Sequence, residues 1–310
     1  MWTSTKLASL IVALGATGCI QQMLIDGQIK GTRRAAEAVD TIADYELARS
    51  AAEAGLAQFE GMHVLSPTNK DALFLLAKNW VGYAFAFIDD ERERADDDGE
   101  TALQEYHQQR ALRAYNRSIL YGTELLSQRV GGFEAAKKTT TTLKTWLQRF
   151  DNRDDAAALL WTGYAYLLRA DLMKSSGAPV AIGATSELYI GVNLIERSTQ
   201  LDPGYANASG LIALASYHAR PMVDARELEQ SRELFENALA RTRRKNLIAQ
   251  VNYARGYACA TGNKQLYERL LGEVHAAGDP DPDQRLTNAI AKRRATRYLL
   301  PLHEQECGLK

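Results

Sequence analysis

Helical periodicity is the feature that most restricts the fold of this 310-residue sequence. Apolar residues recur at three- and four-residue spacing along most of the chain, which is the pattern of amphipathic helices. One such face carries Leu73, Leu76, Ala77, Trp80, Ala84 and Phe87. There are only seven prolines, and runs that alternate apolar and polar residues are scarce. The sequence therefore predicts an all-α protein.

Turn and capping signals give the predicted helix bounds. The helix just described begins near Asn69, because Pro67 precedes it and Asp71 lies in its first turn. Another begins at Asp154, and further periodic segments fall at about 33–61, 102–128, 185–200, 206–218, 226–242, 246–261, 263–276 and 283–300. The charged stretch 89–100 predicts a solvated loop or a frayed helix end rather than a metal site.

Parts of the tetratricopeptide pattern recur in these segments. That pattern places large and small apolar residues at set positions of two antiparallel helices, and a proline closes the unit. Phe235 and Ala238 occupy the large and small places of a second helix, and Leu201-Asp-Pro203 resembles the end of a repeat. Because one hairpin cannot cover its own apolar face, stacking is required. The sequence predicts stacked antiparallel helical hairpins, as degenerate tetratricopeptide-like repeats, forming a curved solenoid.

The amino terminus carries an export pattern. Lys6 precedes a short apolar run from Leu7 to Leu14, and small residues follow. The run is too short to span a bilayer, which takes about 20 apolar residues, and fits a removable secretory signal. The final four residues, Ala16-Thr-Gly-Cys19, resemble a bacterial lipobox, with Ala16 at the usual leucine position.

The lipobox predicts a signal peptide at 1–18, a lipidated tether at 19–32 and an all-helical domain at 33–310. Acyl chains such as palmitate on Cys19 would anchor the chain in a membrane. Ile20, rather than aspartate, follows the cysteine, which favours the inner leaflet of the outer membrane, facing the periplasm. Two alternatives are an ordinary secretory signal that ends at Cys19 and a buried helix start.

Cys259 and Cys307 have two interpretations. In an oxidising periplasm they could pair and close a loop worth about 4 kcal/mol on the chain-entropy model. Cys259 also lies on a small-residue helix face, where a free cysteine packs as a small hydrophobe. Packing without a disulfide is the favoured interpretation, and the pairing stays open.

Charge and motif content exclude several classes of function. The net charge is −1, without the basic footprint of a nucleic-acid-binding protein, and the cations of Arg241–Lys245 suit a helix C-terminus. Nucleotide-binding, nucleophile-elbow and zinc-protease motifs are missing, and the five histidines show no metal-ligand spacing. We expect no catalytic residue, no metal and no cofactor, and we expect that the protein is not an enzyme.

Aromatic residues are concentrated in the early helices. For any one of these residues taken alone, ordinary packing between helices is a sufficient explanation. A sharper hypothesis is that some line an apolar cleft, since ligand sites are commonly lined by aromatic side chains with few polar groups. The candidates are Trp80, Tyr83, Phe87, Trp161, Tyr164 and Tyr217.

The order of segments resembles the TatT family, the T-component lipoproteins of TRAP (tripartite ATP-independent periplasmic) transporters. The lipobox is followed by Leu65-Ser-Pro-Thr-Asn69, Ala84-Phe-Ala-Phe87, Ala111-Leu-Arg-Ala-Tyr-Asn-Arg117, Ala156-Ala-Ala-Leu-Leu-Trp161 and Leu201-Asp-Pro203. The strongest similarity comprises Ser231-Arg-Glu-Leu-Phe-Glu-Asn-Ala-Leu239, Lys245-Asn-Leu247, Val251-Asn-Tyr-Ala254, Leu266-Tyr-Glu-Arg-Leu-Leu271 and Asn288-Ala-Ile-Ala-Lys-Arg-Arg-Ala295. Lys245 and Asn246 are interpreted as a turn and cap between helices.

The resemblance implies tetratricopeptide-like hairpins, a homo-oligomer that is a trimer, and a hydrophobic cleft or pore. It also implies a periplasmic TRAP solute-binding protein as partner. The expected function is that of an accessory transport component that binds the solute-binding protein and an apolar ligand, without itself being a pump. The alternative is a scaffold lipoprotein that assembles envelope proteins and binds no small molecule.

Overall fold

Helices make up all the regular structure in the part of the chain that the computed structural model describes. That part is the backbone of residues 4–175 and 181–309 and the side chains of residues 20–173 and 187–309. The prediction of an all-α protein is confirmed. The side chain of Cys19, on which the lipidation prediction rests, lies outside the described side chains.

Within its described residues, the first half of the chain forms nine α-helices, one 3₁₀ segment and one π-helical segment. The helices are α1 (Ser4–Ala35), α2 (Tyr45–Leu65), α3 (Lys70–Tyr83), α4 (Asp89–Asp97), α5 (Thr101–Arg129), α6 (Phe133–Ala136), α7 (Thr140–Leu147), α8 (Asp155–Ser175) and α9 (Ala181–Leu201). A 3₁₀ turn, Ala36–Thr41, follows α1, and a π-helical segment, Ala84–Ile88, joins α3 to α4. The predicted single helix at 33–61 is therefore divided, because the chain leaves α1 and restarts at Tyr45.

The second half is built in the same way. Its helices are α10 (Tyr205–His218), α11 (Ala225–Thr242), α12 (Leu247–Tyr253), α13 (Lys264–Ala276), α14 (Arg285–Tyr298) and α15 (Pro301–Glu306). A second π-helical segment, Ala254–Ala258, extends α12. A 3₁₀ turn, Pro282–Gln284, precedes α14. The predicted bounds of these segments agree with the structure to within a few residues.

Side-chain caps fix several helix starts where the sequence predicts them. The Asn69 side chain accepts hydrogen bonds from the backbone N–H groups of Asp71 and Ala72 at the start of α3. Asp224 caps α11 in the same way through the N–H of Glu227. Such caps satisfy amides that have no partner within the helix, each worth about 1 kcal/mol.

Helices α8 and α9 form a closely packed antiparallel pair. Arg169 pairs with Glu187 near one end, and Arg153 pairs with Asp202 just beyond the other. Between them, a Cβ on Gly163 would lie 2.9 Å from the carbonyl oxygen of Gly191, and a Cβ on Gly191 would lie 2.8 Å from that of Gly163. Both positions therefore require glycine, since any larger residue would force the two helices apart.

A buried serine joins the two helices of several packed pairs. The Ser118 hydroxyl donates to the carbonyl of Ala77, and Ser198 donates to Ala156, at 2.7 and 2.8 Å. Ser231 donates to the carbonyl of Ala215 at 2.8 Å. Because each hydroxyl finds a carbonyl on the facing helix, the small polar group is buried without an unsatisfied donor.

The charged stretch 89–100 is not the solvated loop that its composition indicates. Residues 89–97 form α4, and the side chain of Asp90 is only 1% exposed. Its carboxylate accepts hydrogen bonds from Arg293 and Arg297 of α14. The prediction of a solvated loop is wrong for residues 89–97, because the cations that compensate their acidic side chains lie some two hundred residues away in sequence.

Helix Lys70–Asp97, which runs through the first π segment, is long and apolar enough to cross a membrane. Two thirds of its apolar window (67%) is buried inside the protein. The burial is that of a core helix, since its apolar side chains pack against the surrounding helices.

Cys259 and Cys307 form a disulfide, with their Cα atoms 4.9 Å apart. The favoured interpretation, packing without a disulfide, is therefore wrong. The bridge ties the chain end after α15 to the helix that carries the second π segment. Sequence spacing could not show this, because two cysteines can pair only when the fold brings their Cα atoms to about 4.4–6.8 Å.

The apolar core has two large parts. One gathers buried side chains from α2 to α9, including Phe87, Tyr115 and Leu194, and the other gathers side chains from α10 to the chain end, including Phe235 and Tyr267. Helix α14 contributes to both. The cavities described next lie where these two parts meet.

Candidate ligand chambers

A partly open cavity of about 160 Å³ lies between the two parts of the core. We call it the inner chamber. Helices α3, α8, α10, α12 and α14 all contribute to its wall. Its apolar lining includes Val39, Tyr83, Phe85, Phe87, Trp161, Tyr164, Ile212, Ile248, Leu286 and Ile290. A few polar groups join them, namely Asp40, Lys78, Asn79, Ser209, Asn252 and Thr287.

The π segment Ala84–Ile88 places aromatic rings on the inner chamber. A π turn widens the helix, so Tyr83, Phe85 and Phe87 all reach the lining although ideal α-helical spacing separates Phe85 from the other two. Arg294 fixes the widened turn. Its Nη2 donates to the carbonyl of Phe85 at 2.8 Å, and its guanidinium lies 4.2 Å from the centre of the Phe85 ring.

A wider cavity of about 600 Å³ adjoins the inner chamber, and we call it the vestibule. The two share Asp40, Lys78, Trp161, Ser209 and Thr287. The rest of the vestibule is lined by Glu37, Ala38, Thr41, Tyr205, Ala206, Asn207, Asn246, Asp283 and Gln284. The vestibule is therefore much more polar than the inner chamber.

A third cavity, of about 130 Å³, adjoins the inner chamber at Phe85, Tyr164 and Asn252. We call it the distal chamber. Tyr217 and Arg220 line it, and the Arg220 guanidinium lies 3.8 Å from the centre of the Tyr217 ring. The vestibule, inner chamber and distal chamber thus follow one another through the protein, and the aromatic pair Phe85 and Tyr164 separates the last two.

The inner chamber holds few ionised groups. Burial raises the pKa of Tyr164 to about 12, so its hydroxyl is neutral at physiological pH. The Lys78 ammonium lies 3.4 Å from the Asp40 carboxylate and 5.8 Å from the centre of the Trp161 ring. The Trp161 indole N–H donates to the Tyr205 hydroxyl at 3.2 Å. The chamber thus has a paired charge at its junction with the vestibule and an apolar interior.

The structure brings five of the six aromatic candidates to these cavities. Tyr83, Phe87, Trp161 and Tyr164 line the inner chamber, and Tyr217 lines the distal chamber. Their role in binding a ligand stays a prediction.

Trp80 lies elsewhere, in a surface groove between α2, α3 and α5. Its indole donates to Glu60 at 2.8 Å, and Arg117 and Tyr121 donate to the same carboxylate. Burial would raise the pKa of Glu60, but these hydrogen bonds hold it below its ordinary value. Trp80 therefore belongs to a polar cluster on the outer side of α3.

Sequence reasoning missed Phe85, Asn252 and the polar lining of the vestibule. On an ideal α-helix Phe85 would point away from the face that Tyr83 and Phe87 share, and only the π turn brings its ring to the lining. Asn246 occupies the cap position of α12, as predicted, but makes no side-chain cap hydrogen bond. Its amide donates instead to the carbonyl of Asn207, at 2.9 Å. No sequence signal marked it as a vestibule residue.

The lining does not offer the chemistry of a metal or nucleophilic site. Among the described residues, no group of three or more His, Cys, Asp and Glu side chains could hold a metal ion. The inner chamber presents aromatic, aliphatic, amide and hydroxyl groups, and the Lys78–Asp40 pair at its junction with the vestibule. This arrangement can enclose an apolar molecule and orient it through a few hydrogen bonds.

The fold and the chambers define a class of protein, namely an all-helical protein with a mainly apolar internal cavity. The particular family follows from comparison with known proteins. The model of the TRAP transporter T-component family matches residues 41–305, and the chain belongs to that family. An uncharacterized protein of Treponema pallidum (strain Nichols) is 22% identical over 257 residues, covering 81% of this chain and 77% of its own length. Family membership makes this chain a TRAP transport accessory component.

Proposed function

We propose that the protein holds an apolar ligand in the inner chamber and exchanges it with the solute-binding protein of a TRAP system. The observation that carries the proposal is the chamber itself: about 160 Å³ of space, lined mainly by aromatic and aliphatic side chains, at the centre of a T-component fold. An apolar cavity of this size binds a molecule such as benzene in other proteins.

The proposal includes the assembly and repeat organisation expected from the family resemblance. The partner is a periplasmic TRAP solute-binding protein, and the protein forms a homo-oligomer, a trimer. The body is a curved solenoid of degenerate tetratricopeptide-like hairpins. The serine-to-carbonyl contacts between Ser118 and Ala77, and between Ser198 and Ala156, support this organisation, because equivalent helix pairs use the same buried contact.

The proposed location is the periplasmic face of the outer membrane, with Cys19 carrying the lipid. The disulfide between Cys259 and Cys307 supports an oxidising compartment, because such bridges persist where thiols are not kept reduced. A lipid anchor would keep the chambers close to the membrane proteins of the transport system.

Filling the inner chamber tests the proposal. Gly82 lines the chamber and has open space where a Cβ would be, so the side chain of Gly82→Leu would occupy the cavity. Gly61 also has open space at its Cβ but lies outside the lining, which makes Gly61→Leu the matched control. Both changes replace glycine by leucine within a helix, so their effect on helix stability is similar.

Native mass spectrometry of the full-length proteins, released from nanodiscs, would measure the copurifying ligand. We expect a small apolar molecule on the wild type and on Gly61→Leu and none on Gly82→Leu. We also expect Gly82→Leu to capture the TRAP solute-binding protein with unchanged stoichiometry. Ligand-free wild-type protein that captures several envelope proteins would contradict the proposal and support the alternative, a scaffold lipoprotein.

A further inference from the structure

Exposed apolar side chains are concentrated at one end of the protein. Among the described residues, twelve large apolar side chains are exposed, and five of them belong to two short stretches, the turns that follow Cys19 and the C-terminal end of α2. The five are Ile20, Met23, Leu24, Val64 and Leu65, with exposed fractions of 59–75%. We call this surface the apolar tip. Single exposed apolar residues are ordinary, but a group of them in one place marks a surface that another structure covers.

Hydrogen bonds hold the two stretches of the apolar tip together. The amide of Gln22 donates to the hydroxyl of Ser66 at 2.8 Å, and that hydroxyl donates to the carboxylate of Asp26 at 2.9 Å. Asn69, which caps α3, donates to the same carboxylate at 2.7 Å. Because Leu65 directly precedes Ser66, the end of α2 lies beside the part of α1 that follows Cys19.

Helix α1 joins Cys19 to the body of the protein without an irregular linker. The residues predicted as a tether, 19–32, all lie within this helix. Ile29 is only 1% exposed and packs in the apolar core, so the helix is fixed to the body about ten residues after Cys19. Because an α-helix rises 1.5 Å per residue, Leu24 lies about 7.5 Å from Cys19 along the axis. The apolar tip therefore has a fixed position beside the residue that the lipobox marks for acylation.

The charges around the apolar tip are arranged as at a lipid interface. Asp26 is the only carboxylate in the stretches 20–29 and 61–69, and three side chains donate hydrogen bonds to it. Exposed cations begin further from Cys19, at Lys30 of α1 and Lys70 of α3. Lys30 lies about 9 Å beyond the last tip residue of α1. Apolar side chains in a bilayer interface reach about 5–10 Å into the boundary between headgroups and acyl chains, and lysines above that level meet lipid phosphates.

We propose that the apolar tip inserts into the lipid interface beside acylated Cys19 and holds the body on the membrane in one orientation. The inference rests on the proposed lipid anchor and adds a second membrane contact to it. The bilayer is the partner, because acyl chains hold Cys19 at the lipid surface and the tip lies within the depth of the headgroup region from it. One acylated residue leaves the body free to rotate. A second contact at Val64 and Leu65, some forty residues away in sequence, removes that freedom.

Two exposed leucines at opposite ends of α2 give a matched test. Leu65 belongs to the apolar tip and is 62% exposed, whereas Leu47 is 58% exposed and lies about 27 Å away along the helix. Leu65→Trp and Leu47→Trp are made in the full-length protein, acylated in the native host and placed in nanodiscs of phosphatidylethanolamine and phosphatidylglycerol with brominated acyl chains, which quench tryptophan on contact. The wild type supplies the background of native tryptophans. Relative to unbrominated nanodiscs, we expect Leu65→Trp to lose about half or more of its added fluorescence and Leu47→Trp to lose none.

Charged variants of the apolar tip show whether its apolar side chains are responsible. Met23→Glu/Leu24→Glu places carboxylates where the tip enters lipid, so the quenching of Leu65→Trp should fall at least about twofold in this background. Leu47→Glu/Leu103→Glu changes two exposed leucines away from the tip and should leave that quenching unchanged. All variants should stay in the nanodiscs, because the acyl chains do not depend on the tip, and circular dichroism checks that each is folded.

The outcomes separate the inference from the anchor on which it rests. Equal quenching of Leu65→Trp and Leu47→Trp, or none of either, in protein that the nanodiscs retain would overturn the fixed orientation and leave the lipid anchor intact. Protein that the nanodiscs do not retain would refute the anchor, and this inference with it. Quenching of Leu65→Trp that the tip glutamates leave unchanged would also overturn the inference. A blue-shifted Leu65→Trp emission without bromine quenching would show that protein, such as a second copy of the chain, covers the tip instead of lipid.

Discussion

Single residues decide the shape of the inner chamber. The carbonyl of Phe85 accepts a hydrogen bond from Arg294, which lies 209 positions later in the sequence. The π turn that this contact stabilises brings the Phe85 ring to the chamber. The aromatic composition of residues 80–87 was enough to predict that this segment contributes rings to the lining of a cleft. It could not show which rings line a cavity, because the helical register changes within the segment and the stabilising contact is distant.

Asp90 is the residue whose loss we expect to cost most stability outside the apolar core. Its side chain is 1% exposed and lies 2.8 Å from Arg297 and 3.1 Å from Arg293. Asp90→Asn would remove the carboxylate paired with Arg293 and leave Arg297 paired with Glu93 and Asp97, at a cost of about 2 kcal/mol in the free energy of unfolding. Urea denaturation would measure it, with Asp98→Asn, an exposed change at the end of the same helix, as the control.

The stability of the wild type and of Asp90→Asn should also depend differently on pH. Burial alone would raise the pKa of Asp90, but the hydrogen bond and charge of Arg297, with the nearby Arg294 and Arg293, hold it below its ordinary value. Because the folded-state pKa is depressed, the stabilisation is fully present above the unfolded-state pKa of about 3.9 and is lost as pH falls through the folded-state value. The stability difference between wild type and Asp90→Asn should therefore shrink in acid. A difference that stays constant to below about pH 3 would contradict this account.

At the scale of elements, the sequence predicted helices well where local signals suffice. The starts of α3 and α11 are fixed by side-chain caps within three residues of the helix, and such signals are readable in the sequence. Helix α4 was missed because its acidic residues are neutralised by arginines of α14. From its local composition such a stretch is predicted to be exposed to solvent, whereas the fold buries its acidic side chains.

The disulfide that follows α15 should make a measurable contribution to the stability of the protein. It closes a loop with a sequence separation of 48, for which chain entropy gives about 4 kcal/mol of stabilisation. We expect Cys259→Ala/Cys307→Ala to lower the free energy of unfolding by about this amount, because the unfolded chain gains freedom.

Urea denaturation with and without dithiothreitol would measure the effect. Reductant should bring the wild type to the stability of Cys259→Ala/Cys307→Ala and leave that variant unchanged. His303 of α15 contacts Asp97 of α4 at 3.3 Å, so α15 also has contacts that do not depend on the bridge. Identical denaturation midpoints of the wild type in both conditions would exclude a stabilising disulfide.

For the whole molecule, the position of the chambers follows from how the two core parts are joined. Helix α14 gives Leu286 and Ile290 to one part and Ala291 and Ala295 to the other. The ion pairs between α4 and α14 add a polar connection between the same halves. The cavities therefore lie between two apolar clusters that α14 joins, an arrangement that pairwise helix patterns in a sequence do not reveal.

The proposed membrane anchor is lipid on Cys19, and labelling with palmitate in the native host tests it. We expect the wild type to incorporate the label and to fractionate with membranes, because each buried methylene contributes about 0.8 kcal/mol and several acyl chains hold a protein firmly. Cys19→Ala should lose both properties. The matched control is Cys259→Ala/Cys307→Ala, which lacks the other two cysteines and should label as the wild type does. Equal labelling of Cys19→Ala would rule out the anchor, whereas unlabelled but membrane-bound Cys19→Ala would indicate that an uncleaved signal, rather than lipid, holds the chain.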